Sequence, residues 1–397
     1  MMMNMAKRLE LLAPAGDFPS LIAAVESGAD SVYFGLEEFN MRQNAKNFKI
    51  EDLQRINEIC KNVKKYLTIN VIIYDEDLEK LEKLIERVKG KINAVICWDL
   101  SVIELCKRHN IPFHISTQAS IANSAAARFY KNLGAERVVL ARELNLKQIK
   151  EISKIMPVEC FIHGAMCVSI SGRCFTSQFL TNKSANRGEC AQFCRRSYKI
   201  TDPDGNELEL DNNKVMSAKD LCCLPFIEQL KKAGITAFKI EGRNRSPEYV
   251  KTTVSVYRNA LDNELDKKQI EESMEKLKTV YNRGFSSGFY LGQPTDDDFS
   301  KTEYGESTEK KVSLGRVQNY WHKMGVAAVK IQSKHLKIGD EIYITGNTTG
   351  VIRTRVETME IDHKPVKDVR RGKTVGIKVP ECRSGDEVFL IQKNKSR

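Results

Sequence analysis

Eight short apolar runs, separated by stretches with helical patterning, constrain the fold of this chain more than any other feature. Most of the runs are rich in valine and isoleucine without alternation, which is typical of parallel strands covered on both faces. Helical patterns such as Asp75–Val88 and Asn145–Ile155 lie between them. The runs are Leu9–Pro14, Ser31–Gly35, Leu67–Ile73, Ala94–Trp98, Phe113–Thr117, Arg137–Ala141, Val158–His163 and Ala237–Ile240. This alternation predicts an α/β fold, a TIM-like (β/α)8 barrel.

An open, doubly wound sheet is the alternative fold for such a pattern. Sheets of that kind that bind dinucleotides carry a GxGxxG turn after the first strand. Here residues 13–17 read Ala-Pro-Ala-Gly-Asp. Rossmann-type dinucleotide chemistry is therefore not expected.

Polar residues follow the predicted strands at six places. They are Asn70, Asp99, Gln118, Arg142 with Glu143, His163, and Glu241 with Arg243. Barrel enzymes keep their active sites at the C-terminal ends of the strands. Several of these side chains are cationic or can become so. We therefore expect the barrel mouth to bind an anionic ligand.

Seven of the eleven cysteines fall within one 64-residue stretch. They are Cys160, Cys167, Cys174, Cys190, Cys194, Cys222 and Cys223. Thiolates are the soft ligands of iron–sulfur clusters and zinc. The odd count, the length of the chain and the charges Lys7, Arg8 and Glu10 near its start argue against a secreted disulfide framework. We expect reduced thiols, a cytoplasmic protein and a metal centre.

The spacing of these cysteines excludes several familiar metal sites. From Cys167 through Cys174 and Cys190 to Cys194, the intervening segments contain six, fifteen and three residues. No CxxC pair of a zinc ribbon, no CxxxCxxC of a radical enzyme and no ferredoxin-type run is present. Four widely spaced thiolates suit a cubane iron–sulfur cluster, with zinc as the alternative.

The positive charge of the chain is concentrated near its C-terminus. The formal charge is +11 overall, and residues 305–397 carry 19 Lys and Arg against 11 Asp and Glu, or +8. Such asymmetry favours a surface that holds a polyanion such as RNA over an ordinary lysine-rich surface. No segment approaches the ~20 apolar residues of a transmembrane helix, so no membrane association is expected.

The last part of the chain predicts a small β-barrel at 312–393, after an acidic, threonine-rich linker at 296–311. Short β-like runs occur at Val326–Ile331, Glu341–Thr345, Gly350–Val356, Lys373–Val379 and Glu387–Ile391. Residues 336–341 and 383–388 resemble phrases of the second domain of elongation-factor GTPases, which handles transfer RNA. The basic charge favours nucleic-acid binding over a spacer role.

The segment 159–177 resembles the signature of the peptidase U32 family, the collagenase-like "peptidases". The matching residues are Glu159, Phe161, Gly164, Ala165, Met166, Cys167, Gly172, Cys174 and Ser177, whereas Thr176 stands where an aliphatic residue is expected. The resemblance extends to 10–16, 32–35 with 39–42, 217–222 and 239–243. It covers roughly the first three quarters of the chain, which we divide into a catalytic barrel at 8–295 with a Cys-rich insertion at about 164–236.

The resemblance implies an activity and a ligand set. Better-understood branches of the family are oxygen-independent hydroxylases with a 4Fe-4S cluster, acting on transfer-RNA uridine with prephenate, on ribosomal-RNA cytidine or on the ubiquinone ring. The resemblance implies that the cluster ligands of this chain are Cys167, Cys174, Cys190 and Cys222, with Cys194 as the alternative fourth ligand. The favoured interpretation is formation of 5-hydroxyuridine at the wobble position of tRNA. A U32-type peptidase and a non-catalytic RNA-binding protein are the rivals.

The resemblance and the strand ends together suggest roles for the remaining residues. His163, Glu241 and Arg243 are the catalytic candidates, although His163 could instead only support another residue. Arginines can hold carboxylates or phosphates through two parallel hydrogen bonds, which lysine cannot reproduce. The substrate-binding candidates are Arg42, Asn70, Gln118, Arg142, Glu143 and Arg173.

Overall fold

A computed structural model describes residues 9–43, 45–208, 216–302 and 305–394 of the protein. Four parts of the predicted domains lie outside the described residues. They are the start of the barrel at residue 8, residue 44 of the barrel, residues 209–215 of the insertion and residues 303–304 of the linker.

Eight parallel strands form a closed barrel, which confirms the predicted fold. The strands neighbour one another in chain order, and the last pairs with both the first and the seventh, which closes the ring. The first seven are β1 (Glu10–Pro14), β2 (Ser31–Phe34), β3 (Lys64–Ile69), β4 (Ala94–Cys97), β5 (Phe113–Ile115), β6 (Arg137–Val139) and β7 (Val158–Gly164). Three strands of the following connection come next, β8 (Ile200–Thr201), β9 (Glu207–Leu208) and β10 (Asp220–Cys222), and then the closing strand β11 (Ala237–Ile240).

The third barrel strand begins three residues before the predicted apolar run and ends four residues before that run does. Its first residues, Lys64 and Lys65, lie at the solvent end of the strand, where a charged side chain costs nothing. Hydrophobicity alone therefore misplaces this strand.

Ten helices are described, and most cover the outside of the barrel. They are α1 (Phe18–Glu26), α2 (Leu53–Ile59), α3 (Leu78–Val88), α4 (Leu100–Arg108), α5 (Ser124–Leu133), α6 (Leu146–Ser153), α7 (Thr176–Thr181), α8 (Ile227–Lys232), α9 (Pro247–Asp262) and α10 (Lys267–Thr279). Asp17, Asn123 and Asn145 cap the starts of α1, α5 and α6 by accepting backbone N–H groups. In α3 the helical spacing of Leu81, Ile85 and Val88 gives one buried face.

A buried ionic network crosses the interior of the barrel. Arg137 donates to both carboxylate oxygens of Glu10 at 2.9 and 2.6 Å and to Glu159 at 3.3 Å. Lys239 donates to the other oxygen of Glu159 at 2.8 Å. Burial acts to raise the pKa of Glu10, but Arg137 outweighs it and holds the pKa at about 2. The charges offset one another and tie β1, β6, β7 and β11 together.

The connection between β7 and β11 spans 165–236 and carries most of the clustered cysteines. It returns to the barrel through β10, which pairs antiparallel with β7, and β12 (Phe285–Ser286) then pairs parallel with β10. The connection is therefore attached to the barrel at the strand that ends with His163 and Gly164.

The C-terminal region is an antiparallel sheet structure. Its strands are β13 (Glu309–Trp321), β14 (Val326–Ile331), β15 (Leu336–Lys337), β16 (Glu341–Gly346), β17 (Gly350–Arg355), β18 (Met359–Ile361), β19 (Lys364–Pro365), β20 (Asp368–Val369), β21 (Thr374–Lys378) and β22 (Glu387–Lys393). Eight of them pair in the order β17-β16-β22-β13-β14-β21-β18-β19, and β15 pairs with β20. The five predicted runs coincide with β14, β16, β17, β21 and β22 to within about two residues.

The longest strand of this region, β13, was not among the predicted runs. Several charged side chains, among them Lys310, Lys311 and Arg316, interrupt its apolar residues. It begins inside the segment predicted as the linker. Earlier in that segment, the Ser300 amide donates to the Ser217 carbonyl at 2.7 Å, so the chain packs against the Cys-rich connection there.

The C-terminal sheet packs against α1 and α9 of the barrel. Lys251 on α9 donates to the Val351 carbonyl at 2.5 Å, and Arg55 on α2 donates to the Asn347 carbonyl at 2.8 Å. Tyr343 and Val351 belong to the same apolar core as the barrel. In the described part of the chain, no helix combines the length and the apolar character needed to cross a membrane.

Candidate active site at the barrel mouth

An open space of about 440 Å³, part of it continuous with solvent, lies at the C-terminal end of the barrel strands; we call it the inner cavity. Four cationic side chains line it, Arg42, Arg142, Lys239 and Arg243, together with the carboxylate of Glu241. Asn70 and Gln118 add neutral polar groups to the same wall. The excess of positive charge suits an anionic ligand.

Arg42 and Glu241 form an ion pair at the edge of the inner cavity. Arg42 Nη2 lies 3.1 Å from Glu241 Oε1, and Arg42 Nη1 donates to its neighbouring carbonyl of Met41 at 3.0 Å. Burial acts to raise the pKa of Glu241, but Arg42 and Arg142 outweigh it and lower the pKa to about 2. Glu241 is therefore ionised at neutral pH and orients Arg42.

Arg243 is held rigidly in the floor of the inner cavity. Its Nη1 donates to Thr68 at 3.0 Å, and its Nη2 donates to Asn40 at 2.7 Å and to Asn47 at 2.6 Å. A side chain at Gly35 would bring its Cβ within 2.1 Å of Arg243 Nη2, so only glycine leaves room for the guanidinium. Burial lowers the pKa of Arg243 to about 10, and the group remains charged at neutral pH.

Arg142 connects the inner cavity to a larger space above it. Its Nη1 donates to the Ala165 carbonyl at 2.9 Å, and its guanidinium lies 3.9 Å from the centroid of the Phe161 ring. Within the described residues, the buried Nε groups of Arg142 and Arg243 have no hydrogen-bond partner.

The larger space, which we call the outer cavity, measures about 1240 Å³ including the part that is open to solvent. It shares with the inner cavity the residues Met41, Arg42, Thr117, Gln118 and Arg142. Another part of its wall carries Cys167, Cys190 and Cys194. The thiols and the cationic cavity therefore open onto the same space.

Cys174 adjoins this group of thiols, and its surroundings favour the thiolate. Burial acts to raise the pKa of Cys174, but the hydroxyl and the amide of Thr176, at 3.2 and 3.4 Å from the sulfur, lower the pKa overall. Burial raises the pKa of Cys194; the neighbouring Arg195 lowers it, whereas Cys167, Cys190 and Cys174 raise it. Four thiols thus lie within electrostatic range of one another.

Cys222, the fourth ligand that the resemblance implies, does not line the outer cavity as three of the other thiols do. It is 3% exposed at the end of β10, with its sulfur 3.6 Å from the Tyr257 hydroxyl and 3.7 Å from Met274 Sδ. Burial raises the pKa of Cys222 to about 11. Because β10 pairs with β7, it directs this thiol toward α9 and α10. The structure groups Cys194, the alternative ligand, with Cys167, Cys174 and Cys190.

These four cysteines are the residues that could hold a metal centre. Their sulfurs are not drawn together to coordination distances: across the described ranges, no set of three or more His, Cys, Asp or Glu side chains is arranged to hold a metal ion. The chemistry of the four cysteine thiols nevertheless fits a metal centre, because thiolates are the ligands of iron–sulfur clusters and zinc. None of the eleven cysteines, all of them described, forms a disulfide.

His163, one of the predicted catalytic candidates, lines neither of the two cavities. It is 1% exposed, lies among the rings of Tyr249, Tyr257 and Phe285, and has Nδ1 3.3 Å from the Tyr257 hydroxyl. Burial lowers the pKa of His163 to about 3. The ring is neutral and inaccessible at neutral pH, so it supports the packing between β7 and α9.

The remaining predicted side chains divide between the two cavities and the outside. Asn70 accepts the Met41 amide at 3.2 Å in the inner cavity, and Glu143 in the outer cavity accepts the Ser171 amide at 3.3 Å. Arg173 lines neither cavity; it is exposed and donates to Ser120 Oγ at 3.0 Å. Its expected direct contact with a ligand in the mouth is therefore not supported.

Sequence reasoning missed several cavity residues. Tyr33 and Lys239 lie inside strands, and Lys239 Nζ is 4.3 Å from the centroid of the Tyr33 ring. A lysine within the apolar run Ala-Phe-Lys-Ile is a signal that could have revealed an inward-facing charge. Arg195 and Arg283, which line the outer cavity, carry no such signal because their neighbours are polar.

A closed parallel barrel with a charged cavity at the carboxyl ends of its strands has the architecture of a TIM-barrel enzyme. The chain belongs to peptidase family U32, whose pattern it matches over residues 16–300.

Relatives of the chain carry names from two classes of activity. It is 42% identical over 409 residues to a "Collagenase" of Porphyromonas gingivalis, covering 97% of this chain and 98% of that protein. It is 36% identical over 370 residues to "tRNA hydroxylation protein P1" of Bacillus subtilis, covering 88% and 87%. It is 38% identical over 263 residues to the "23S rRNA 5-hydroxycytidine C2501 synthase" of Escherichia coli, covering 64% and 39%.

Proposed function

We propose that the protein is an oxygen-independent RNA hydroxylase that forms 5-hydroxyuridine at the wobble position of tRNA in the cytoplasm, with prephenate as co-substrate and a 4Fe-4S cluster. One observation carries the proposal: the wall with Cys167, Cys190 and Cys194 and the cationic inner cavity open onto the same outer cavity. The relative named for tRNA hydroxylation supports the RNA substrate.

Cys167, Cys174, Cys190 and Cys194 would hold the cluster. When bound, such a cluster supplies one-electron chemistry. Cys174 is prepared for this role because the hydroxyl and amide of Thr176 already stabilise its thiolate. The repulsion between the Cys194 thiolate and its three neighbours would be relieved by bound cationic iron.

The inner cavity would hold the dicarboxylate co-substrate. The guanidinium groups of Arg142 and Arg243, which line this cavity, would supply charge-assisted hydrogen bonds. Glu241 keeps Arg42 oriented and, being ionised, prevents the surplus positive charge from pushing the arginines apart. The pyrimidine would enter the outer cavity, because reaction at a ring carbon requires a base that is out of the helical stack.

A peptidase is the second candidate, favoured by the collagenase-named relative. A cysteine peptidase needs a thiol and an imidazole within reach of the peptide. The pairing of β10 with β7 places Cys222 opposite His163, and both contact the Tyr257 hydroxyl. These side chains are only 3% and 1% exposed, so a peptide could not reach them.

Nucleoside analysis of tRNA and rRNA from a deletion strain tests the proposed function. We expect 5-hydroxyuridine in tRNA to disappear and to return with the wild-type gene. Loss of 5-hydroxycytidine from rRNA would indicate that ribosomal RNA is the substrate. Unchanged modified nucleosides together with loss of a quinone would indicate that a quinone precursor is the substrate. The protein is also purified without oxygen. If it contains neither iron nor sulfide and cleaves gelatin peptides, the hydroxylase proposal is wrong and the peptidase is favoured.

A further inference from the structure

An unusual concentration of exposed apolar side chains lies in the Cys-rich connection, beside the outer cavity. Thirteen large apolar side chains are exposed in the described part of the chain, and five of them fall within 168–180. We call this set the apolar rim; its members are Val168, Ile170, Phe175, Phe179 and Leu180. Isolated exposed apolar residues need no explanation, but a cluster marks an interaction site.

The two aromatic members of the apolar rim offer open ring faces. Phe175 is 63% exposed and Phe179 is 81% exposed. Their ring centroids lie 6.1 Å apart with the planes tilted by 38°, so the rings do not cover each other's faces. Two members of the apolar rim, Val168 and Ile170, line the outer cavity itself.

The charge around the apolar rim is strongly positive. Residues 167–198 contain five Lys and Arg against the single acidic residue Glu189. Arg173, Lys183 and Arg196 are exposed, and the Arg196 guanidinium lies 4.4 Å from the centroid of the Phe193 ring. The core of a protein–protein interface is depleted in charged residues. Aromatic rings interleaved with cations are instead the pattern of a surface that binds single-stranded nucleic acid.

We propose that the apolar rim is a stacking platform for unpaired bases of the RNA substrate, next to the nucleotide that enters the outer cavity. Phe175 and Phe179 take the flanking bases, while Arg173, Lys183 and Arg196 contact the phosphates. The inference rests on the proposed RNA substrate and adds to it the residues that bind the RNA chain on either side of the nucleotide that reacts. It also accounts for the exposed position of Arg173, which lines neither cavity.

The test uses the full-length protein and a fluorescein-labelled single-stranded oligouridylate. Each lost ring should weaken binding about tenfold, since base–aromatic stacking contributes about 1–3 kcal/mol per base. We expect Phe175→Leu combined with Phe179→Leu to weaken binding on the order of a hundredfold, and Phe175→Tyr combined with Phe179→Tyr to restore it. Phe129→Leu, which removes a similarly exposed ring on α5, is the matched control and should bind as wild type.

Two outcomes would overturn the inference. If the wild-type protein and the double leucine variant bind the oligouridylate equally well, the rings do not stack on RNA. This result would not contradict the hydroxylase proposal. Self-association that the double leucine variant abolishes, without any change in RNA affinity, would make the apolar rim an interface between copies of the chain. Failure of the hydroxylase proposal is seen separately, in the nucleoside analysis.

Discussion

Individual side chains of the candidate site divide according to how they are held. The residues that directly follow barrel strands, such as Asn70, Gln118 and Arg142, line the mouth as their positions predict. His163 does not, because its side chain points into the packing between β7 and α9 rather than into the barrel. Successive side chains of a strand point to opposite faces, so one residue of difference in register separates a cavity residue from a packing residue.

Serine substitutions should distinguish Cys194 from Cys222 as a ligand. We expect Cys194→Ser to weaken iron retention on the order of tenfold or more, as do losses in the immediate surroundings of a metal. Cys222→Ser should keep wild-type iron, because this thiol contacts Tyr257 and Met274 instead. Iron and sulfide are measured after reconstitution without oxygen, with Cys60→Ser as a buried control. Normal iron in Cys194→Ser and its loss in Cys222→Ser would reverse the assignment.

The ion pair of Glu241 predicts a pH-dependent contribution to stability. The pKa of Glu241 falls from 4.5 to about 2 on folding. A lowered carboxyl pKa stabilises the fold fully above pH 4.5, and this contribution is lost as the pH falls through about 2. Glu241→Gln should therefore lower the free energy of unfolding by about 3 kcal/mol at pH 7 and by progressively less toward pH 2.

Urea unfolding of wild type and Glu241→Gln at several pH values checks this difference. Glu143→Gln, at the outer cavity, is the control and should change stability little. A difference for Glu241→Gln that stays constant from pH 7 to pH 3 would mean that the carboxylate is not stabilised by the arginines.

The elements of the fold differ in how plainly the chain encodes them. Barrel strands are continuous apolar runs, so their order and approximate ends follow from composition along the chain. The connection 165–236 has short strands and single helical turns, whose positions depend on contacts with the barrel. Strand β13 is not recognisable as an apolar run because charged residues interrupt it. An antiparallel strand can carry such residues because one of its sides can face water.

The contact between β17 and α1 depends on a glycine. Gly350 has φ +68, and an added Cβ would lie 2.6 Å from Ile22 Cγ2 on α1. Gly350→Ala should lower the free energy of unfolding by about 1–3 kcal/mol more than its control does, because a packed interface does not accept the extra carbon. Thermal unfolding measures the loss.

Gly372→Ala is the matched control for this substitution. Gly372 also has a positive φ, +94, but nothing lies within 4 Å of the added carbon. Both variants place an alanine at a positive φ, so they share the backbone strain. Only Gly350→Ala adds a steric clash with Ile22. Equal losses of stability would show that α1 moves away freely and that the sheet is not packed tightly on the barrel.

The whole molecule combines a compact cationic mouth with a basic C-terminal sheet. The sheet is joined to the barrel through α1 and α9. Most of the excess positive charge lies on this region, +8 of the total +11. An extended basic surface attached to the proposed nucleotide site suits a large RNA better than a small metabolite alone.

Salt dependence should reveal the contribution of the basic sheet. Neutralising the exposed Lys373 and Lys378 together, by Lys373→Gln and Lys378→Gln, should reduce the slope of log affinity against log salt by about 1 per charge. Binding of an unmodified tRNA transcript is measured at several salt concentrations. Lys147→Gln, an exposed lysine on α6, is the control. A slope unchanged in the double variant and lowered in the control would place the RNA on the barrel side instead.

The barrel, the β-rich C-terminal region and the clustering of cysteines are readable from the chain alone, because strand periodicity, turn residues and local composition are short-range properties. The position of Cys194 on the wall of the outer cavity, the burial of Cys222 and His163 and the inward position of Lys239 are not. Each depends on which face of a strand meets the cavity and on how β10 turns back beside β7. Contacts between residues far apart in sequence decide these positions, and residue type alone carries no record of them.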